Sequence, residues 1–287
     1  MCNGTIMDKL VSFAIPLMVS GILQLAFNAV DIIVVGRFSG SQALAAVGST
    51  TALINVFTNL FIGISLGANV LAARFYAAGK DRETSETVHT SITLALISGI
   101  MMAVIGVLLA KWALEIMGTP DDVIGPAGEY LKIYFAGVPV LFLYNMSSAI
   151  LRAVGDTKRP LNFLIISSCL NIALDILFVA KFGWGISGVA IATVIAEAVS
   201  AALACSTLMR TKEAHHLVLR DLHINKSCLG EIFRIGLPAG VQQGLTAFSN
   251  ALVQSYVNGL GSSVIMAGWS CHSKIDQFAI LPAQSMG

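Results

Sequence analysis

Two carboxylates stand inside apolar runs, Asp31 in "NAVDIIVVG" and Asp175 in "LNIALDILFV". A charged side chain at membrane depth costs about 3 kcal/mol on insertion scales, and such residues mark ion or substrate pathways. Each has polar company at helical spacing. Gln24, Asn28 and Asp31 fall at i, i+4, i+7, which is one stripe of a helix; Asn171 and Asp175 are i, i+4, and so are Thr193 and Glu197. Carboxylates, amides and hydroxyls at one depth can share a proton or hold a small cation through oxygen. For Asn28 or Thr193 taken singly, interhelical hydrogen bonding is the competing role. Two aspartates together ask for more, because hydrogen-bonding between helices does not require carboxylates.

The elements that must position these groups are set by composition. The chain of 287 residues is 56% hydrophobic and 11% charged, with a mean hydropathy of +0.80. A soluble domain carries about 25% charged residues. The apolar residues come in long runs rather than alternating, which predicts an all-α membrane protein rather than a barrel. The formal net charge of +1 gives no footing for nucleic acid. The five cysteines (2, 169, 205, 228 and 271) form no CxxC pair and no disulfide framework.

The expected spans are 10–36, 44–73, 88–110, 130–151, 161–182, 186–209 and 232–256, with an eighth beginning near Val264. They are separated by turn-forming stretches such as "AAGKDRE", "RAVGDTKRP" and "KFGWG". Twelve Lys and Arg fall on the N-terminal side of the membrane and four on the other, which predicts a cytoplasmic N-terminus. With that direction, helical rise places Asp31 about 7 Å, and Asp175 and Thr193 each about 10 Å, inside the outer surface. Three spans thus bring polar groups to one level.

"FAIPLMVSGILQLAFNAVD" (13–31) aligns with "IGLPAGVQQGLTAFSNALV" (235–253), pairing Pro16 with Pro238 and Asn28 with Asn250. This is a parallel repeat of six spans, a common transporter construction. It divides the chain into a six-helix lobe (1–209), a cytoplasmic linker (210–231) and the first two helices of a second lobe (232–287). Within the linker, "LGEIFRIG" could lie on the membrane surface, and His215, His216 and His223 read as solvated rather than as a metal set. The second half stops after two spans with "AILPAQSMG" still apolar, so the chain is expected to be a fragment with four further spans encoded beyond it.

Other polar residues leave alternatives open. Pro16 either kinks a moving helix or is a tolerated break. Asn145 either lines a cavity or bonds a neighbour. Glu197 either extends the relay or faces water on the linker side. Lys274 and Asp276 could point into a cavity, or Lys274 could pair with a residue beyond the chain.

Four segments together resemble the multidrug and toxic compound extrusion (MATE) transporters. They are "IPLMVSGILQLAFNAVDIIVVGRFSGSQALAAVG" (15–48), "LRAVGDTKRPL" (151–161), "LNIALDILF" with "GWGISGVAIATVIA" (170–196), and "IGLPAG" (235–240). The resemblance implies twelve helices in two six-helix lobes, V-shaped around a central cavity. It also implies efflux of cationic or amphipathic compounds by proton- or sodium-coupled antiport with alternating access. It places the cation-coupling site at Asp31, Asn171, Asp175 and Thr193, where a sodium ion would also sit, supporting polar groups at Gln24 and Asn145, and the bend at Pro16. Asn28 and Glu197 join the polar network by spacing alone. The chain looks closer to the DinF-like and archaeal members than to the NorM-like branch, because Thr246 stands eight residues after Pro238 where that branch carries a glutamate.

The expected protein is therefore a multi-pass inner-membrane transporter acting as a monomer on small drug-like molecules in the bilayer. It needs no cofactor beyond the coupling ion, H+ or Na+. An enzyme is not expected, since no nucleophile or metal set such as HExxH is present. The alternative is a flippase or exporter of a lipid-linked precursor, which the scarcity of Lys and Arg within spans 1–6 disfavours.

Overall fold

The computed structural model describes residues 6–38, 40–116, 121–259 and 276. Seven helices carry most of them: α1 (Ile6–Phe38), α2 (Gly40–Ala77), α3 (Asp81–Ile116), α4 (Asp121–Ala153), α5 (Lys158–Asp175), α6 (Gly185–Arg210) and α7 (Lys226–Gly259). Among the described residues, five stretches are long and apolar enough to cross a bilayer: Phe57–Ala77, Asp81–Ile116, Ile124–Ala153, Lys158–Lys181 and Gly185–Arg210. These match expected spans 2 to 6. Span 8, Lys274 included, lies outside the described residues apart from the exposed Asp276, as do the side chains of Asn28 and Asp31 in α1.

Small residues let the helices approach. A Cβ on Gly99 of α3 would sit 2.6 Å from the Pro139 Cα of α4, and one on Gly106 would strike the Phe135 ring. Backbone contact of this kind is how helices associate where lipid removes the hydrophobic drive. The opposite face of α3 presents Ile97, Ile100, Met101, Val104 and Leu108 outward, as a lipid-facing surface requires. α4 is the hub, packed between α3, α2 and α6; α5 lies against α6 and α1. α7 runs along α2, where Gly63 and Gly67 face Gly240 and Gly236 so closely that no side chain fits between the two backbones.

The turns at Gly79 (φ 66°) and Gly155 (φ 90°) are among those that use the left-handed conformation glycine adopts without strain. Both lie in stretches that the sequence marks as breaks. Span 5 is not one continuous α-helix. Directly after Asp175 the chain widens into a π-helical segment, Ile176–Lys181, closed by the Phe182 N–H donating to the Leu177 carbonyl at 3.1 Å. The apolar run "ILFVA" carries no sequence mark of that change.

The linker is solvated only in part: His223 is exposed as expected. His215 and Leu217 are buried, and the Val218 N–H donates to Nε2 of the buried His89 in α3 at 3.1 Å. The Asn225 N–H donates to Thr90 Oγ1 (3.0 Å), and its Nδ2 donates to Glu86 Oε2 (2.6 Å). Asn225 Oδ1 accepts from the N–H groups of Ser227 (2.9 Å) and Cys228 (3.3 Å), which makes it the N-cap of α7. The helix therefore starts at Lys226, and "LGEIFRIG" forms its first turns rather than a segment on the membrane surface. Ile232 in that stretch is fully buried, with Gly236 against α2.

Candidate functional site

The site begins on α5. Its buried residues Leu164, Ser168, Asn171 and Asp175 recur at i, i+4, i+7 and i+11, so one face of the helix turns Ser168, Asn171 and Asp175 inward. Asn171 and Asp175 are both 0% exposed. Asp175 ends the α-helical stretch where the π-helical segment takes over, a local geometry common at functional positions. α6 supplies the partner. Its Thr193 hydroxyl donates to the Val189 carbonyl of the same helix at 3.0 Å and accepts from Asn171 Nδ2 at 3.3 Å. With Nδ2 so engaged, Asn171 Oδ1 is left sealed from water with no hydrogen-bond partner. An acceptor in that state carries a desolvation cost that a cation or a donor would relieve.

Of the four residues expected to hold a cation, Asn171 and Thr193 meet across the α5–α6 interface, and Asp175 is buried one turn from Asn171 on the same face of α5. The fourth, Asp31, lies on α1, which packs against α5 and α6; its side chain is outside the described residues. The supporting residues divide. Gln24 is exposed on α1. Asn145 is half-buried and donates from Nδ2 to the Leu141 carbonyl of its own helix at 2.9 Å. Pro16 is buried inside a continuous α1, with the Ser20 hydroxyl donating to its carbonyl at 2.8 Å. Glu197 turns an oxygen inward: its Oε2 is sealed from water and has no partner. Thr246 is exposed, its hydroxyl donating to the Gln242 carbonyl at 3.0 Å.

Sequence reasoning passed over Ser168. Its hydroxyl is buried without a hydrogen-bond partner, one turn before Asn171 on the same face. The i, i+3 spacing to Asn171 was the available signal, but serine in an apolar helix usually bonds its own backbone and draws no notice. Among the described residues no group of three His, Cys, Asp or Glu side chains is arranged to hold a metal. The arrangement of Asn171, Asp175 and Thr193 instead offers neutral oxygens and one carboxylate, the donor set suited to a proton or a hard monovalent cation.

Comparison with known proteins agrees with this architecture. The MatE family model matches residues 16–177, more than half of the chain. The chain is 34% identical over 284 residues to the probable multidrug resistance protein YoeA of Bacillus subtilis, covering 96% of this chain and 61% of that one. A solved MATE structure in the bent conformation superposes with a TM-score of 0.90 at 26% identity, over 99% of this chain and 63% of its own. A second, in the straight conformation, gives 0.90 and 26% over 97% and 62%. The chain thus spans about 60% of the length of the relatives it matches. Its helix order, the polar faces of α5 and α6, and the family match across α1 to α5 make this chain a member of the MatE family.

Proposed function

We propose that the protein is a secondary antiporter that exports cationic or amphipathic compounds in exchange for inward movement of protons or sodium ions. The observation that carries the reading is the group at Asn171, Asp175 and Thr193. It is an anionic, oxygen-rich site sealed between two apolar helices, with an amide oxygen whose hydrogen-bonding capacity is unused. Such a site binds a small cation in competition with a larger organic one, and that competition is the core of antiport. The relative YoeA, described as a probable multidrug resistance protein, supports the drug-like substrate class.

In this reading Asp31 completes the site from α1, and the protein works as a monomer with a cytoplasmic N-terminus and two V-shaped lobes that alternate access. Occupation by the coupling ion cancels the local negative charge, the organic cation loses its counter-charge, and α1 repacks about Pro16. Similar solved structures occur in a bent and a straight conformation, which supports a protein that moves between two states. The exposed Thr246 takes no part, in keeping with the DinF-like rather than the NorM-like branch. A flippase for a lipid-linked precursor is the weaker reading, because a pyrophosphate needs cations and the site offers a carboxylate.

The test is ethidium efflux by the full gene product in everted vesicles, under an imposed pH gradient and separately under a sodium gradient. Wild type should transport under at least one gradient. Asp31→Asn and Asp175→Asn should each fall to background at wild-type expression, while Thr246→Ala stays at wild-type rate. Wild-type rates in both Asp→Asn variants would sink the proposal.

A further inference from the structure

The polar face of α5 does not end at Asn171, and neither does that of α6 end at Thr193. Two hydrogen bonds set how these antiparallel helices lie against each other. Asn171 Nδ2 donates to Thr193 Oγ1, and nearer the other end Ser200 Oγ donates to the Phe163 carbonyl at 3.3 Å. Between those two rungs, the register brings Ser167 and Ser168 level with Ala196 and Glu197. Thr193, Glu197 and Ser200 recur at i, i+4, i+7. Glu197 thus sits in the middle of a stripe whose two ends both touch α5.

The chemistry at that level is incomplete in the same way as at Asn171. Glu197 Oε2 and Ser168 Oγ are both sealed from water, and both lack a hydrogen-bond partner. From α4, a Cβ on Gly137 would meet the Val194 side chain and Ser147 Oγ lies 3.4 Å from Cys205 Sγ, so the stretch of α4 that carries Tyr144 runs beside Glu197. The Tyr144 hydroxyl is engaged elsewhere, donating to the Pro160 carbonyl at 3.4 Å. A carboxylate oxygen so enclosed carries a desolvation cost that interhelical packing alone does not repay, whereas an arriving proton or cation does.

We propose that Glu197 and Ser168 form a second station for the coupling cation, a proton or a sodium ion, between α4, α5 and α6. It lies about 6 Å, one helical turn, from the Asn171–Asp175–Thr193 group and toward the C-terminal end of α6. The inference rests on the antiport reading above and extends it. The cation does not leave the first site directly; it steps along the α5–α6 interface from Asp175 and Asn171 to Glu197. Glu197 therefore serves ion passage and not substrate binding.

That separation can be measured in the full gene product. Ethidium efflux driven by a pH or sodium gradient requires the cation to pass through. Ethidium exchange between two sides at equal pH and equal sodium requires only that loaded carrier reorient. Glu197→Gln should lower gradient-driven efflux about a hundredfold, the low end for loss of a positioned proton-transfer group, while exchange stays within about twofold. Ser168→Ala should lower efflux in the same direction and by less. Wild-type efflux in Glu197→Gln overturns the proposal, and so does equal loss of efflux and exchange, which would assign the residue to packing or to substrate. Should Glu197→Gln fail to reach the membrane, Glu197→Asp decides: a changed half-saturating proton or sodium concentration supports the station, and an unchanged one overturns it. Absence of gradient-driven efflux in wild type would instead refute the antiport reading itself, so the two failures are told apart.

Discussion

Replacing Asn225 by alanine should undock the linker from α3. The side chain does two jobs. Its Oδ1 caps α7 through the N–H groups of Ser227 and Cys228, and loss of such a cap costs about 1 kcal/mol. Its Nδ2 donates to Glu86 Oε2 at 2.6 Å. A hydrogen bond to a charged group is worth roughly 1.5–3 kcal/mol, and we take about 1 kcal/mol because Glu86 is partly exposed and shared with Arg82. The Asn225 backbone bond to Thr90 survives the substitution. The sum of about 2 kcal/mol raises the undocked population about 30-fold.

The reporter is the Val218 amide, which donates to His89 Nε2 and has no contact with the altered side chain. In the regime where exchange follows the open population, hydrogen exchange over 214–222 should accelerate by the same factor. Acceleration confined to Ser227 and Cys228, with Val218 unchanged within about twofold, would show that cap and linker open independently and would refute the reasoning.

The remaining expectations rest on separate features. His215 is buried beside Glu213, Asp156, Arg159 and His216; burial, partly offset by Glu213, holds its imidazole below the ordinary value of 6.5. The unfolded linker then binds more protons than the docked one, so docking is fully stable above pH 6.5 and weakens as pH falls from there. Exchange over 214–222, corrected for intrinsic rates, should rise between about pH 7 and pH 5, and His215→Phe should flatten that rise; an identical profile in the variant would refute the assignment. Gly67→Val forces a side chain onto the Ile232 carbonyl and the Gly236 backbone, an overpacking cost of about 1–3 kcal/mol. Thermal unfolding in detergent should shift downward, and an unchanged midpoint would mean that α7 does not pack on α2 as described.

Helix and face were legible in the sequence; pairing was not. A carboxylate in an apolar run is costly enough to stand out, and an i, i+4 partner places it on a helix face, so Asn171, Asp175 and Thr193 could be named without a structure. The same logic identified Glu197 but left its direction open, because a helix sequence encodes axial position and not which neighbour a stripe meets. Which residues of α5 stand level with Glu197 depends on the α5–α6 register, set by Asn171 on Thr193 and Ser200 on Phe163. Ser168 was hidden for the same reason: its unpaired hydroxyl is a property of its surroundings.

The linker shows the limit most clearly. Its polar composition argues for solvent, and only tertiary packing buries His215, beside Tyr76 of α2, and gives the Val218 N–H an acceptor on α3, 129 residues away. The widening after Asp175 also belongs to tertiary structure, since nothing in "ILFVA" resists a regular α-helix. Local sequence determined that this chain would be a set of apolar helices carrying polar residues at helical spacing. Contacts between residues far apart in the chain decided which oxygens were sealed from water without a partner, because burial is a property of the assembled helices and not of any one of them.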